Sequence, residues 1–160
     1  MAATTRDSTL YSNVYVNKYI TDARDRGGRD VEIPFSHTVV SGETGGASAG
    51  VQDKVNLCVL PANCMVVGLE FSANNVWASA GTNGTIQIGD SGDDDRYLIA
   101  TELYTAAASP LGTDLKHLGL AFAGQNYRPT ADTVVQAIYK TANPVVGKIF
   151  KGSFRIIPGA

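Results

Sequence analysis

The chain has 160 residues, of which 44% are hydrophobic and 18% charged, and a formal net charge of -2. A charged share below the usual ~25% excludes a charge-rich disordered polymer or a coiled coil, and a slightly acidic chain has no long-range attraction for nucleic acid. The length corresponds to one ordinary domain or a compact domain with an arm, and no apolar run approaches the ~18 residues of a membrane span.

The first thirty residues differ from the rest. Tyr11, Asn13, Tyr15, Asn17 and Lys18 stand where an export signal would carry an apolar core, so a soluble chain without such a signal is expected. Tyr11, Tyr15 and Tyr19 fit a helical stripe, whereas Val14, Val16 and Ile20 fit period two; the residue types favour strand or extended chain. From Thr21 to Asp30 charge signs alternate around Gly27-Gly28, the composition of a solvated connector. Residues 1–30 are therefore expected to form an extended arm and connector ahead of a body at 31–160, the alternative being a segment packed on its own domain.

From Val31 onward the pattern is strand, turn, strand. Val31, Ile33 and Phe35 alternate with Glu32, Pro34 and Ser36, and Pro34 places this strand at an edge or makes it irregular. The Gly/Ser/Ala-rich stretch from Ser41 to Gly50 reads as an exposed loop. Further strands are expected at Val55 to Leu60, Cys64 to Ser72, Thr85 to Ile88, Leu115 to Phe122, Thr133 to Tyr139 and Lys148 to Ile157. Cys58 and Cys64 flank a turn at Leu60-Pro61-Ala62-Asn63; two cysteines cannot build a disulfide framework or a zinc site, so free, partly buried thiols are expected, with a local bridge as the alternative. One helix is expected, from Asp93 to Tyr104, because Ser91-Gly92-Asp93-Asp94 reads as a capping box and Asp93, Asp94 and Asp95 sit where a helix dipole favours negative charge. Seven short strands with one inserted helix amount to an all-β, antiparallel two-sheet β-sandwich, jelly-roll-like in form.

Catalytic chemistry finds little support. Gly46-Ala47-Ser48-Ala49-Gly50 matches a nucleophile elbow, with His117 in order behind it, but no strand precedes it, no helix follows it and the chain lacks a βα rhythm. The acidic run at Asp90, Asp93, Asp94 and Asp95 departs from calcium-loop spacing, with glycine in the third position, so a structural turn or helix start is expected rather than a metal site. His37 and His117 lie too far apart for a metal pair and read as surface or interface imidazoles. Neither a cofactor nor a metal is expected.

Charge is segregated along the chain. Residues 70–115 hold seven acids against Arg96 alone, whereas residues 133–160 hold Lys140, Lys148, Lys151 and Arg155 with no acid. Such segregation serves either pairing between copies or within a lattice, or ion pairs inside one subunit.

The stretch Thr85-Ile86-Gln87-Ile88-Gly89-Asp90-Ser91-Gly92-Asp93-Asp94-Asp95-Arg96-Tyr97-Leu98 resembles a segment of small structural proteins of tailed bacteriophages, in which a strand runs into Gly-Asp, an acidic cluster, Asp-Arg and an aromatic residue. Leu60 to Gly68 is similar to their Leu-Pro turn before a core strand, and Asp132 to Ala137 with Gly147 to Ile157 resembles their closing hairpin. The resemblance covers about residues 31–158. It implies a non-enzymatic virion component of the head decoration (cement) type, bound to the major capsid protein lattice on the capsid exterior after synthesis in the host cytoplasm. It also implies a homo-oligomer, a trimer ahead of a dimer; the net charge and the lack of a long apolar run leave no nucleic-acid or membrane partner expected. Tyr11, Tyr15, Tyr19 and Ile20 are the expected partner-binding anchors of the arm, since tyrosine supplies interface area at low entropy cost. Trp77, in the loop from Asn74 to Gly81, and Lys148, Lys151 and Arg155 are further partner-binding candidates. The rivals are a tail- or fibre-associated component and a carbohydrate-binding sandwich in which Trp77 stacks on a sugar.

Overall fold

A computed structural model describes residues 5–8, 31–45, 52–73, 84–104, 124–141 and 143–159. Eight strands run through them: β1 (Thr5–Asp7), β2 (Val31–Thr38), β3 (Lys54–Leu60), β4 (Met65–Ala73), β5 (Gly84–Asp90), β6 (Asp93–Tyr104), β7 (Thr133–Tyr139) and β8 (Ile149–Ile157). They form a five-stranded sheet in the order β1-β3-β7-β5-β6 and a three-stranded sheet in the order β2-β8-β4. All pairings are antiparallel except that of β1 with β3. The fold is the expected two-sheet sandwich.

Alternation decides which side chains meet between the sheets. On β2, Val31, Ile33, Phe35 and His37 turn inward while Glu32, Pro34, Ser36 and Thr38 face out. Pro34, which has no N–H to donate, lies on an edge strand as its chemistry requires. Across the gap stand Val55, Leu57, Ile86, Ile88, Val135 and Tyr139, and the two sets join in one buried cluster. Bulges break the alternation where the sequence places two apolar residues together: the register of β3 against β7 shifts between Asn56 and Cys58, which turns both Leu57 and Cys58 into the interior.

Aromatic rings fill the three-stranded side. Phe35 packs on Phe154 (5.8 Å between centroids) and Phe71 (6.4 Å), and Phe71 on Phe150 (5.8 Å). Gly152 makes this packing feasible. It faces inward on the central strand β8, and a Cβ there would strike the Glu70 carbonyl oxygen and lie 2.7 Å from Phe35 Cζ.

The expected turn at residues 60–63 is present. Cys64 N donates to Pro61 O at 3.3 Å, Asn63 adopts a left-handed φ of 61°, and Asp132 Oδ1 accepts the Ala62 N–H at 2.8 Å. Both thiols are free and buried.

The expected helix from Asp93 to Tyr104 is absent; these residues are strand β6. Ser91 caps nothing. The residue that organises the segment is Asp90, whose Oδ1 accepts the Gly92 N–H at 2.9 Å and the Asp93 N–H at 3.2 Å. This Asx-type turn reverses the chain into a hairpin, and the antiparallel pairing of β5 with β6 outcompetes a local capping box. Of the segment expected to be an arm, Thr5–Asp7 adds to the sheet beside β3, and Ser8 is buried, its N–H donating to Asn56 O at 2.8 Å. Residues 9–30 lie outside the described residues, as does the expected strand from Leu115 to Phe122.

Candidate functional site

The acidic segment is a structural node. Asp90 is 3% exposed, and its carboxylate is saturated: besides the two backbone donors, Oδ2 accepts Arg96 Nε at 2.7 Å and the Tyr97 hydroxyl at 3.0 Å. The Arg96 guanidinium lies 4.1 Å from the centre of the Tyr127 ring, a cation–π contact. Burial opposes its charge, but the bond to Asp90 and the negative charge there outweigh burial and raise its pKa. Burial, then the Asp90 charge, pushes the Tyr97 hydroxyl far up, so it stays a donor. Gly89 allows the hairpin to close this tightly, because any Cβ on it would overlap the backbone of Asp93 and Asp94.

Beyond the node, Ser91, Asp93, Asp94 and Asp95 line an open cleft of about 580 Å³ with Lys54, Gln87 and Lys140. Lys54 Nζ lies 3.0 Å from Asp94 Oδ1. Asp95 has a raised pKa, mainly through a hydrogen bond with Asp93, then through burial and the Asp93 charge. Among the described residues no three His, Cys, Asp or Glu side chains converge as metal ligands.

The second cluster escaped the sequence reading. His37, expected at a surface or interface, is 3% exposed. Its Nε2 donates to Glu43 Oε1 at 2.9 Å; the Val40 N–H donates to the same oxygen at 3.1 Å, and the Tyr139 hydroxyl to Glu43 Oε2 at 2.8 Å. Burial raises the Glu43 pKa, but the His37 bond, the Val40 N–H, the His37 charge and the Tyr139 bond together bring it below its ordinary value. The signal was there in part: His37 shares the inward phase of Val31, Ile33 and Phe35. Its partners were not legible, since Tyr139 lies 96 residues from Glu43.

This cluster anchors a loop and offers no nucleophile. Thr44 N donates to Asp53 Oδ2 at 2.8 Å, Gly45 N to Asn143 Oδ1 at 2.9 Å and Arg6 Nη2 to Gly42 O at 3.1 Å. Ser48 and His117 lie outside the described residues. The thiols are poor nucleophiles: burial pushes Cys58 strongly up, and pushes Cys64 to about 11 despite the nearby Arg128 charge.

Of the partner-binding candidates, Tyr11, Tyr15, Tyr19, Ile20 and Trp77 lie outside the described residues. Lys151 and Arg155 are exposed on the outer face of β8, and Lys148 is half-buried just before it. Arg155 stands opposite Glu32 in register and beside Gly68, whose missing side chain leaves room for the guanidinium. In space the segregated charges meet in part within the chain, since Lys140 lines the same cleft as Asp93, Asp94 and Asp95, where Lys54, from outside the basic stretch, also pairs with Asp94.

No known protein-family model matches the sequence. No curated protein is significantly similar to it. Solved structures do match. A chain of the capsid of Ralstonia phage GP4 is 16% identical with a TM-score of 0.67, the match covering 98% of this chain and 99% of that one. A chain of the cyanophage Pam1 capsid asymmetric unit is 17% identical with a TM-score of 0.58, covering 87% and 92%. A chain of the acidic stable capsid structure of Helicobacter pylori bacteriophage KHP30 is 19% identical with a TM-score of 0.53, covering 82% and 94%. At such identities the likeness is one of fold: this all-β chain has the fold of chains found in bacteriophage capsids.

Proposed function

We propose that this chain is a non-enzymatic structural protein of a bacteriophage virion that binds the major capsid lattice on the head exterior and stabilises it as a cement or decoration protein. The observation that carries the reading is a sandwich that matches a capsid chain from end to end, covering 98% of one and 99% of the other. Its polar clusters support it: the carboxylates of Asp90 and Glu43 are spent on holding a turn and a loop, which is what a load-bearing shell component needs. In this reading Tyr11, Tyr15, Tyr19 and Ile20 anchor the arm on the lattice, and Trp77 and the basic residues of β8 add contacts.

Each fully buried anchor stabilises such a contact by roughly 1.5–3 kcal/mol before ordering costs. The test adds purified full-length chain to particles lacking it and images them by cryo-electron microscopy. Density on the head exterior is expected. A Tyr11→Ala, Tyr15→Ala, Tyr19→Ala triple variant is expected to keep its melting temperature and lose at least about tenfold in apparent affinity. Density on the tail alone, or none, overturns the reading, and full occupancy by the triple variant removes the arm from it.

A further inference from the structure

Four large apolar side chains among the described residues stand open to solvent: Ile99 is 61% exposed, Val146 59%, Val40 46% and Ile149 40%. They fall into two groups. Three gather at one corner of the three-stranded sheet, where the β2/β8 ladder runs past its last register pair, Thr38 with Ile149. There Val39 N donates to Lys148 O at 2.8 Å and Gly147 N to Val39 O at 2.9 Å, which holds Val40 and Val146 beside Ile149. This apolar corner carries positive charge from the exposed Lys151, two residues beyond Ile149, and from the half-buried Lys148, which precedes Ile149 in sequence. Neither lysine has an ion-pair partner among the described residues.

The fourth, Ile99, belongs to the other sheet and the other sign. It lies on β6, four residues after Asp95. Asp94 is matched by Lys54 at 3.0 Å and Lys140 lines the same cleft, so the carboxylates of Asp93, Asp94 and Asp95 share two ammonium groups there; Asp93 Oδ1 also accepts the Asp95 N–H at 3.4 Å. A hydrogen bond with the Asp93 carboxyl, then burial and the Asp93 charge, raise the Asp95 pKa against the opposing charge of Lys140. A carboxylate pair of this kind gains from an ammonium brought in from outside.

We propose that the acidic start of β6, together with Ile99, docks on the Val40–Val146–Ile149 corner of a second copy of this chain, with Lys148 and Lys151 of that copy facing Asp93 and Asp95. Exposed apolar groups rimmed by charge mark interaction sites, opposite charge sets the register, and one chain supplies both halves. The contact joins two different surfaces, so each copy keeps one of each for the next, and the assembly closes into a ring or propagates. The inference concerns the chain in solution and stands apart from where the assembly sits on a particle.

The test is sedimentation velocity and native mass spectrometry of the full-length chain. Species larger than the monomer are expected at micromolar concentration. Val146→Asp and Ile99→Asp are each expected to raise the dissociation constant at least about tenfold, with circular dichroism reporting that the variant is folded; if one does not fold, the other carries the test. Lys151→Glu and Asp95→Lys should each weaken association several-fold, and the double variant should recover most of it. A wild-type monomer overturns the proposal. So does an oligomer indifferent to both apolar substitutions. Failure of the double variant to recover overturns the charge pairing.

Discussion

Asp90→Ala probes the node on which the β5–β6 hairpin depends. The substitution removes an acceptor of four hydrogen bonds at once. Tyr97 is fully buried, so stranding its hydroxyl costs about 1–3 kcal/mol. The Arg96 side chain is 17% exposed and keeps its Tyr127 contact, so losing its ionic partner falls between a surface pair and a buried one, about 1–2 kcal/mol. The two turn N–H groups add about 0.5–1 kcal/mol. The sum is about 2.5–6 kcal/mol, which for a chain of this size lowers the melting temperature by roughly 5–24 °C. Tyr97→Phe strands nothing and should cost only about 1 kcal/mol. The assay is urea unfolding at neutral pH followed by circular dichroism on both single variants and the double. Because phenylalanine has no hydroxyl to strand, the double variant should be more stable than additivity requires. An Asp90→Ala variant within about 0.5 kcal/mol of wild type, or strict additivity, would refute the account of the node.

Two other outcomes follow from the buried groups. The folded-state pKa of Glu43 lies below the ordinary 4.5, so its contribution to stability is in place above that pH and is lost as pH falls through the folded value; Glu43→Gln should be less stable at neutral pH and should show a shallower loss of stability below about pH 4.5, measured as urea midpoints across the acid range. Gly152→Ala should cost about 3 kcal/mol or more, since its methyl group meets the backbone of β4 rather than a yielding side chain, and a melting temperature equal to wild type would contradict that packing.

Much of the strand inventory was legible from residue order alone. Thr133–Tyr139 has the expected bounds, and β2, β3, β4, β5 and β8 differ from expectation by a few residues at their ends. Period-two burial is a local property, written wherever one face of a strand is wet and the other dry. The edge position of Pro34 was legible for the same reason: a missing N–H is a fact about one residue.

Tertiary structure decided the rest. Asp93–Tyr104 carries a good helix-start signal, yet pairing with β5 and the four bonds to Asp90 made it a strand, because a cap worth about 1 kcal/mol cannot compete with a whole ladder. Thr5–Asp7 shows no pattern of its own and became a strand only through the neighbouring edge of β3. The phase of His37 was readable in β2, but its carboxylate partner sits in a loop and the tyrosine that completes the cluster comes from β7. The same holds for Lys54 with Asp94 and for the gathering of Val40, Val146 and Ile149, which sequence separates and the β2/β8 pairing joins. Alternation tells each residue which way it faces; what it faces depends on which strands lie side by side, and that is set by the free energy of the whole core rather than by any one segment.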